Sequence, residues 1–245
     1  MNANSETSPS FQSPAESRDP VADIIAADED LALTLPYLGA HLRARARATF
    51  ALAIELRRIP RQVREPAIGD IRLQWWRERI DDLARSKPAP VGHPTLEALA
   101  KSGAVGPATK SLIFGAIDAR ERFLDPTPFR STEEAFAAFE AAESCLLAVA
   151  DDLDDVSRAA ALSRVGLYAA VRWGASGDPA RRGEILREAQ ARLAAAPSLP
   201  TAEGAPTSPL LFVALTKGYL SRSPERSWPL AKRMALFWAA LRGRA

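Results

Sequence analysis

The sequence predicts an all-α bundle, and three observations carry the prediction. Apolar residues recur at three- and four-residue spacing from Ala22 to Leu241, the mark of helices with one buried face. No run alternates with the period of two that a half-buried strand requires, and no internal repeat is present. The breaks between periodic stretches fall at Pro, Gly, Asp and Ser, residues that start or stop helices. With 245 residues, 47% of them hydrophobic, the chain can build one sizeable core.

Composition excludes several classes. There are 32 Lys and Arg against 30 Asp and Glu, a net +2, which is not the charge of a nucleic-acid-binding surface. The one cysteine, Cys145, excludes an intramolecular disulfide and fits a reducing compartment. Cys145 lies among apolar neighbours and reads as core. Two histidines and one thiol do not suit a zinc site, and neither His41 nor His93 sits near a nucleophile motif. No apolar run approaches the roughly 18 residues that cross a bilayer. The N-terminus lacks the basic-then-apolar pattern of a signal, so the expected location is cytoplasmic.

The elements follow in order. Residues 1–20, rich in Ser, Pro and Asn, read as a disordered tail, and residues 21–245 as one helical domain. A first helix is expected over 23–35 and a second over 39–59, ended by Pro60 because the residue before a proline leaves the α region. Pro66 suits the first position of a helix that runs through the Trp75-Trp76 pair. Shorter helices are expected at 95–101 and 107–124. Ser131 with Glu134 has capping-box spacing and opens a helix to Ala150. Asp151-Asp152-Leu153-Asp154-Asp155 precedes a helix containing Leu162, Val165 and Tyr168, which ends at Gly174 and Gly177. Helices over 179–195, 209–221 and 228–242 close the chain. The last places Trp228, Leu230, Met234, Phe237, Trp238 and Leu241 on one side, with Lys232, Arg233, Arg242 and Arg244 around them. It is read first as a core helix and second as one lying on an anionic membrane.

The Trp-Trp helix is the most informative. At about 100° per residue, Ile68, Ile71, Leu73, Trp75, Trp76, Ile80 and Leu83 share one broad face, expected to be buried with both Trp rings as anchors. Arg72 and Arg79 project from the same arc. Either they snorkel or pair with carboxylates of other helices, or with Arg57 and Arg61 of the preceding helix they line an anion-accepting pocket.

Glu65-Pro66-Ala67-Ile68-Gly69-Asp70-Ile71-Arg72-Leu73-Gln74-Trp75-Trp76 resembles the signature segment of the squalene/phytoene synthase family, in its branch of respiratory complex I assembly factors. Its fixed positions are Glu65, Pro66, Gly69, Arg72, Gln74, Trp75 and Trp76. The similarity extends over most of 22–172 and returns at 179–245. It implies a bundle of the class I isoprenoid synthase type. Active members join two prenyl diphosphates with magnesium held by carboxylates on two facing helices. Here the first carboxylate motif falls on Arg57, Arg58 and Arg61, and after Arg172 the chain reads Trp173-Gly174-Ala175-Ser176-Gly177. No catalytic residue and no cofactor is therefore expected. The resemblance implies instead a binding or assembly factor for respiratory complex I, with an isoprenoid or phospholipid ligand and peripheral contact at the inner membrane. The alternative is an active magnesium-dependent prenyl transferase whose metal uses Asp151, Asp152 and Asp155. Against it, carboxylates at a helix start are explained by capping and the helix dipole.

Overall fold

The computed structural model describes residues 19–149, 153–175, 181–195, 208–222 and 228–242. Every regular element among them is helical, as expected. Of the expected tail, residues 1–18 lie outside this set. Asp19 and Pro20 instead begin the first helix, α1 (Pro20–Ile25), where the Asp19 carboxylate accepts from the Val21 and Ala22 N–H groups. The single helix expected over 23–35 is in fact two. Asp28 caps a second helix, α2 (Glu29–Thr34), by accepting from the Asp30 and Leu31 N–H groups.

The longest helix, α3 (Ala40–Gln62), runs through the centre with Phe50, Leu52 and Leu56 fully buried. It passes Pro60 instead of ending there. The ring forfeits one hydrogen bond in the last turn, and Ile59, only 4% exposed, is held helical by its packing. The Trp-Trp helix, α4 (Pro66–Ala84), begins at its proline as expected. α5 (Pro94–Ser102) stops at Gly103, whose φ of 63° is left-handed. α6 (Pro107–Ala119) tightens into a 3-10 turn, Arg120–Phe123. The next helix, α7 (Thr132–Ala142), opens where Ser131 accepts from the Glu134 N–H at 3.1 Å. It stops well short of Ala150: Glu143 breaks it, and a wholly buried 3-10 stretch, Ser144–Val149, follows.

α8 (Asp155–Ala169) widens into a π-helical turn, Ala170–Gly174. α9 (Arg182–Ala195), a 3-10 stretch at Leu211–Leu215, α10 (Thr216–Ser221) and α11 (Pro229–Arg242) complete the described elements. α3 packs against α1, α4, α5 and the Ser144–Val149 stretch, and α7 lies along α8. Between them sits a core that includes Phe50, Ile80, Leu96, Ile113, Leu147, Val165, Tyr168 and Phe212. Each such side chain contributes about 1.5–3 kcal/mol by leaving water. Cys145 belongs to this core, and burial pushes its thiol up to about 12.

Candidate anion-binding cavity

One turn of α3 turns a charged side chain into the bundle. Arg57, 7% exposed, lies beside Glu143, which is fully buried. Its Nε donates to the Glu143 Oε1 at 3.0 Å and its Nη2 to Oε2 at 2.7 Å. Its Nη1 donates to the Asp28 Oδ2, also at 2.7 Å. Glu143 receives a second guanidinium: Arg120 Nη2 donates to Oε1 at 2.6 Å and to the Ala142 carbonyl at 2.9 Å. The π-helical turn aims Arg172 at the same place, where Nη1 donates to the Asp28 Oδ1 at 2.7 Å. Asp30, fully buried, accepts from the Tyr168 and Tyr219 hydroxyls at 2.7 Å each and lies 2.8 Å from Lys232 Nζ. Lys232 also donates to Glu29 at 2.7 Å.

Cation and anion thus alternate from Arg120 through Glu143, Arg57, Asp28, Arg172, Asp30 and Lys232 to Glu29. An isolated buried charge is too costly to keep, and this alternation is what allows so many below the surface. Burial by itself would raise the Asp28 carboxyl, but Arg57 and Arg172 overcome it and hold it below the usual range. Burial drives the Tyr168 hydroxyl far up, so it stays a donor.

Next to this chain of charges opens a cavity of about 490 Å³. Arg57, Arg61, Arg120, Arg122 and Arg181 form its cationic wall, and Phe123, Phe129, Phe139 and Trp173 its aromatic one. Arg57 stacks on Trp173 at 4.2 Å. Arg122 is paired with Glu134 at 2.9 Å. Arg61 stands one turn beyond Arg57, and no carboxylate among the described residues pairs with it. Burial, then repulsion from Arg57, Arg120 and Arg172, lowers its pKa below the ordinary guanidinium value. A guanidinium stays protonated at any relevant pH, so Arg61 keeps its charge in a setting that disfavours it.

The four arginines expected to share one pocket are divided. Arg57 and Arg61 line the cavity, and Arg57 is already neutralised by Asp28 and Glu143. Arg72 and Arg79 lie away from it. The buried face of α4 is a narrow stripe of Gly69, Leu73, Trp76, Ile80 and Leu83, not the wide arc expected, and both arginines stand on its flank. Arg79 pairs with Asp82 at 3.1 Å. Arg72 faces a shallow α3–α4 groove shared with Glu55, Arg58 and Ile71. Trp75 is likewise not a core anchor: it is 38% exposed, against 4% for Trp76. The other signature positions are local to α4. Glu65 precedes its first turn, Pro66 starts it and Gln74 donates to Glu78 at 3.1 Å.

Magnesium takes six oxygen ligands in near-octahedral geometry; among the described residues Asp125 is the one carboxylate on the cavity wall, while Asp28 and Glu143 are committed to guanidiniums. Among the described residues no group of three or more Asp, Glu, His or Cys is placed to hold a metal. Asp151 and Asp152 lie outside the described residues. Asp155 is exposed in the first turn of α8, where Asp154 is the cap, accepting from the Ser157 N–H at 2.8 Å. Sequence reasoning missed Asp28, Asp30, Arg120 and Glu143. The available signal was a lone carboxylate inside an apolar run, as in Ala141-Ala142-Glu143-Ser144-Cys145-Leu146-Leu147.

Comparison with known proteins agrees with the signature on α4, since the Squalene/phytoene synthase profile matches from Ile24 to Ala141. Residues 24–141, just under half of the chain, are thus similar to the squalene/phytoene synthase family. The all-α terpenoid synthase type of that family accords with the helical architecture here. Two curated relatives carry the name NADH dehydrogenase (ubiquinone) complex I, assembly factor 6. That of Bos taurus is 32% identical over 112 residues, 45% of this chain and 32% of the relative. That of Rattus norvegicus is 32% identical over 104 residues, 42% of this chain and 30% of the relative. The match thus spans about a third of the length of these relatives. No solved structure matches the chain.

Proposed function

We propose that this squalene/phytoene synthase-like chain works without prenyl-transfer chemistry. In this reading it binds an anionic ligand with an apolar tail in the Arg61 cavity and assists assembly of respiratory complex I. The observation that carries the proposal is the cavity wall, where Arg61 has no carboxylate partner among the described residues; by resemblance, the family's first carboxylate motif falls on Arg57, Arg58 and Arg61. Such a wall accepts a diphosphate or phospholipid headgroup directly, through charge-assisted hydrogen bonds, while the four aromatic rings suit an isoprenoid or acyl chain. The relatives' printed name supports the assembly role.

Two measurements test the reading. Cells lacking this protein should contain less assembled NADH:ubiquinone oxidoreductase in their membranes, restored by the wild-type chain; normal levels would overturn the assembly role. Titration calorimetry with a prenyl diphosphate, without metal, should show binding by wild type and by Arg72→Met, and a loss of about ten-fold for Arg61→Met, the value of one charge-assisted contact. Equal binding by all three proteins would remove the cavity from the account. Diphosphate release from farnesyl diphosphate and magnesium, abolished by chelation, would reinstate the synthase.

A further inference from the structure

The buried side of α11 is small. Leu236 is fully buried and Lys232 is 7% exposed, tied to Glu29 and Asp30 of α2, and these contacts fix which way the helix is turned. The side turned outward is the more apolar one. Leu230 is 73% exposed, Met234 46%, Phe237 47%, Trp238 47% and Leu241 65%. At about 100° per residue these five cover one continuous arc of about 100°. Arg233 and Arg242, both exposed, fall about 40° beyond its two edges. A soluble protein rarely leaves such a contiguous apolar strip uncovered without a use for it.

We propose that this face of α11 seats the protein on an anionic lipid surface. Aromatic and aliphatic side chains between two rows of basic ones are the pattern of a helix that lies in the headgroup plane. The charge around the strip selects lipid over other occupants. Lys217, Arg222, Arg233 and Arg242 are exposed, and neither α10 nor α11 contains a carboxylate. Lys217 and Arg222 line the groove that α10 forms with α11, beside Trp238 and Arg242 at one edge of the strip. A second copy of this chain would bring the same cations against these, whereas an acidic headgroup layer neutralises them. The proposal is independent of the assembly role and of the Arg61 cavity, because lipid binding by the purified chain requires neither.

The test is co-sedimentation of the full chain with vesicles of phosphatidylcholine alone or with about a third phosphatidylglycerol, a typical anionic content for this purpose. Wild type should bind the anionic vesicles, bind them less as salt is raised, and leave the neutral ones in the supernatant. The double variant Leu230→Glu/Leu241→Glu should lose about ten-fold or more in partitioning with unchanged circular dichroism, since both positions are exposed. Leu241→Glu alone, in the last turn, serves if the double variant misfolds. Absence of wild-type binding, equal binding by the variants, or a solution dimer that the variants dissociate would overturn the proposal; the last would make this face a self-interface.

Discussion

Glu143 has no route to water, and its two oxygens are shared by Arg57 and Arg120. Replacing it with Gln keeps the shape and removes the charge, so Arg120 loses its counter-ion and Arg57 one of its two in a buried setting. We expect a loss of about 3 kcal/mol, at the low end for breaking a buried ion pair because Arg57 keeps Asp28. Chemical denaturation at neutral pH measures it. Burial alone would raise the Glu143 carboxyl above 4.5, but Arg57 and Arg120 overcome this and hold it lower. The unfolded chain therefore takes up the proton first. The stability from this group is complete above pH 4.5 and is lost as pH falls from there through the depressed folded value. Glu143→Gln should accordingly lose less stability than wild type over that acid range; parallel pH profiles would show that Glu143 is not held low. At the same scale, the Trp pair should divide. Trp76→Ala should cost about 3–5 kcal/mol and Trp75→Ala about 1 kcal/mol or less, because only Trp76 is enclosed; equal melting shifts would contradict the difference in burial.

Much of the architecture was legible because helix starts and stops are local. Pro66, Pro94, Pro107 and Ser131 stand where proline and capping rules put them. The failures came where tertiary contact overrode a local rule. Pro60 did not end α3 because Ile59 is packed, and α7 stopped at Ala142 because Glu143 must reach residues 86 and 23 positions away. The candidate site was half legible for the same reason: the arginines are visible in the sequence, but their partners are not. Close helix approach was also hidden. A Cβ on Gly166 of α8 would stand 2.6 Å from the Glu140 Cβ and 2.7 Å from its Cα on α7. Backbone cannot yield as a side-chain tip can, so Gly166→Ala should force α7 and α8 apart at a cost of about 1–3 kcal/mol. Gly115→Ala on α6 meets nothing nearer than Ser144 Oγ at 3.8 Å and should stabilise by about 0.5–1 kcal/mol through helix propensity. Melting curves of the two variants should move in opposite directions, and a shift of the same sign in both would refute the packing argument.

At the scale of the molecule, the alternating charges do what the apolar core does not: they join distant segments at fixed points. Asp28 and Asp30 near the start of the chain hold Arg57 of α3, Arg172 after α8 and Lys232 of α11. Hydrophobic contact is non-directional, whereas these pairs specify which residue meets which. α11 depends on them most, because its outward side is apolar and could bury itself just as readily. Lys232 settles the choice. Burial would lower its pKa, yet Asp30, Glu29 and the Tyr219 hydroxyl overcome this and hold the ammonium charged. Lys232→Met retains the aliphatic stem, leaves Asp30 with its two tyrosine donors and removes the tie to α2. Amide hydrogen exchange should then speed up across 229–242 by about ten-fold or more, the effect of losing over 1.4 kcal/mol of local stability, while α3 stays protected. Unchanged exchange in α11 would mean that Leu236 and its alanine neighbours hold the helix by themselves. Uniform acceleration through α3 would mean instead that the ionic chain supports the bundle as a unit, and that α11 is not a separately opening element.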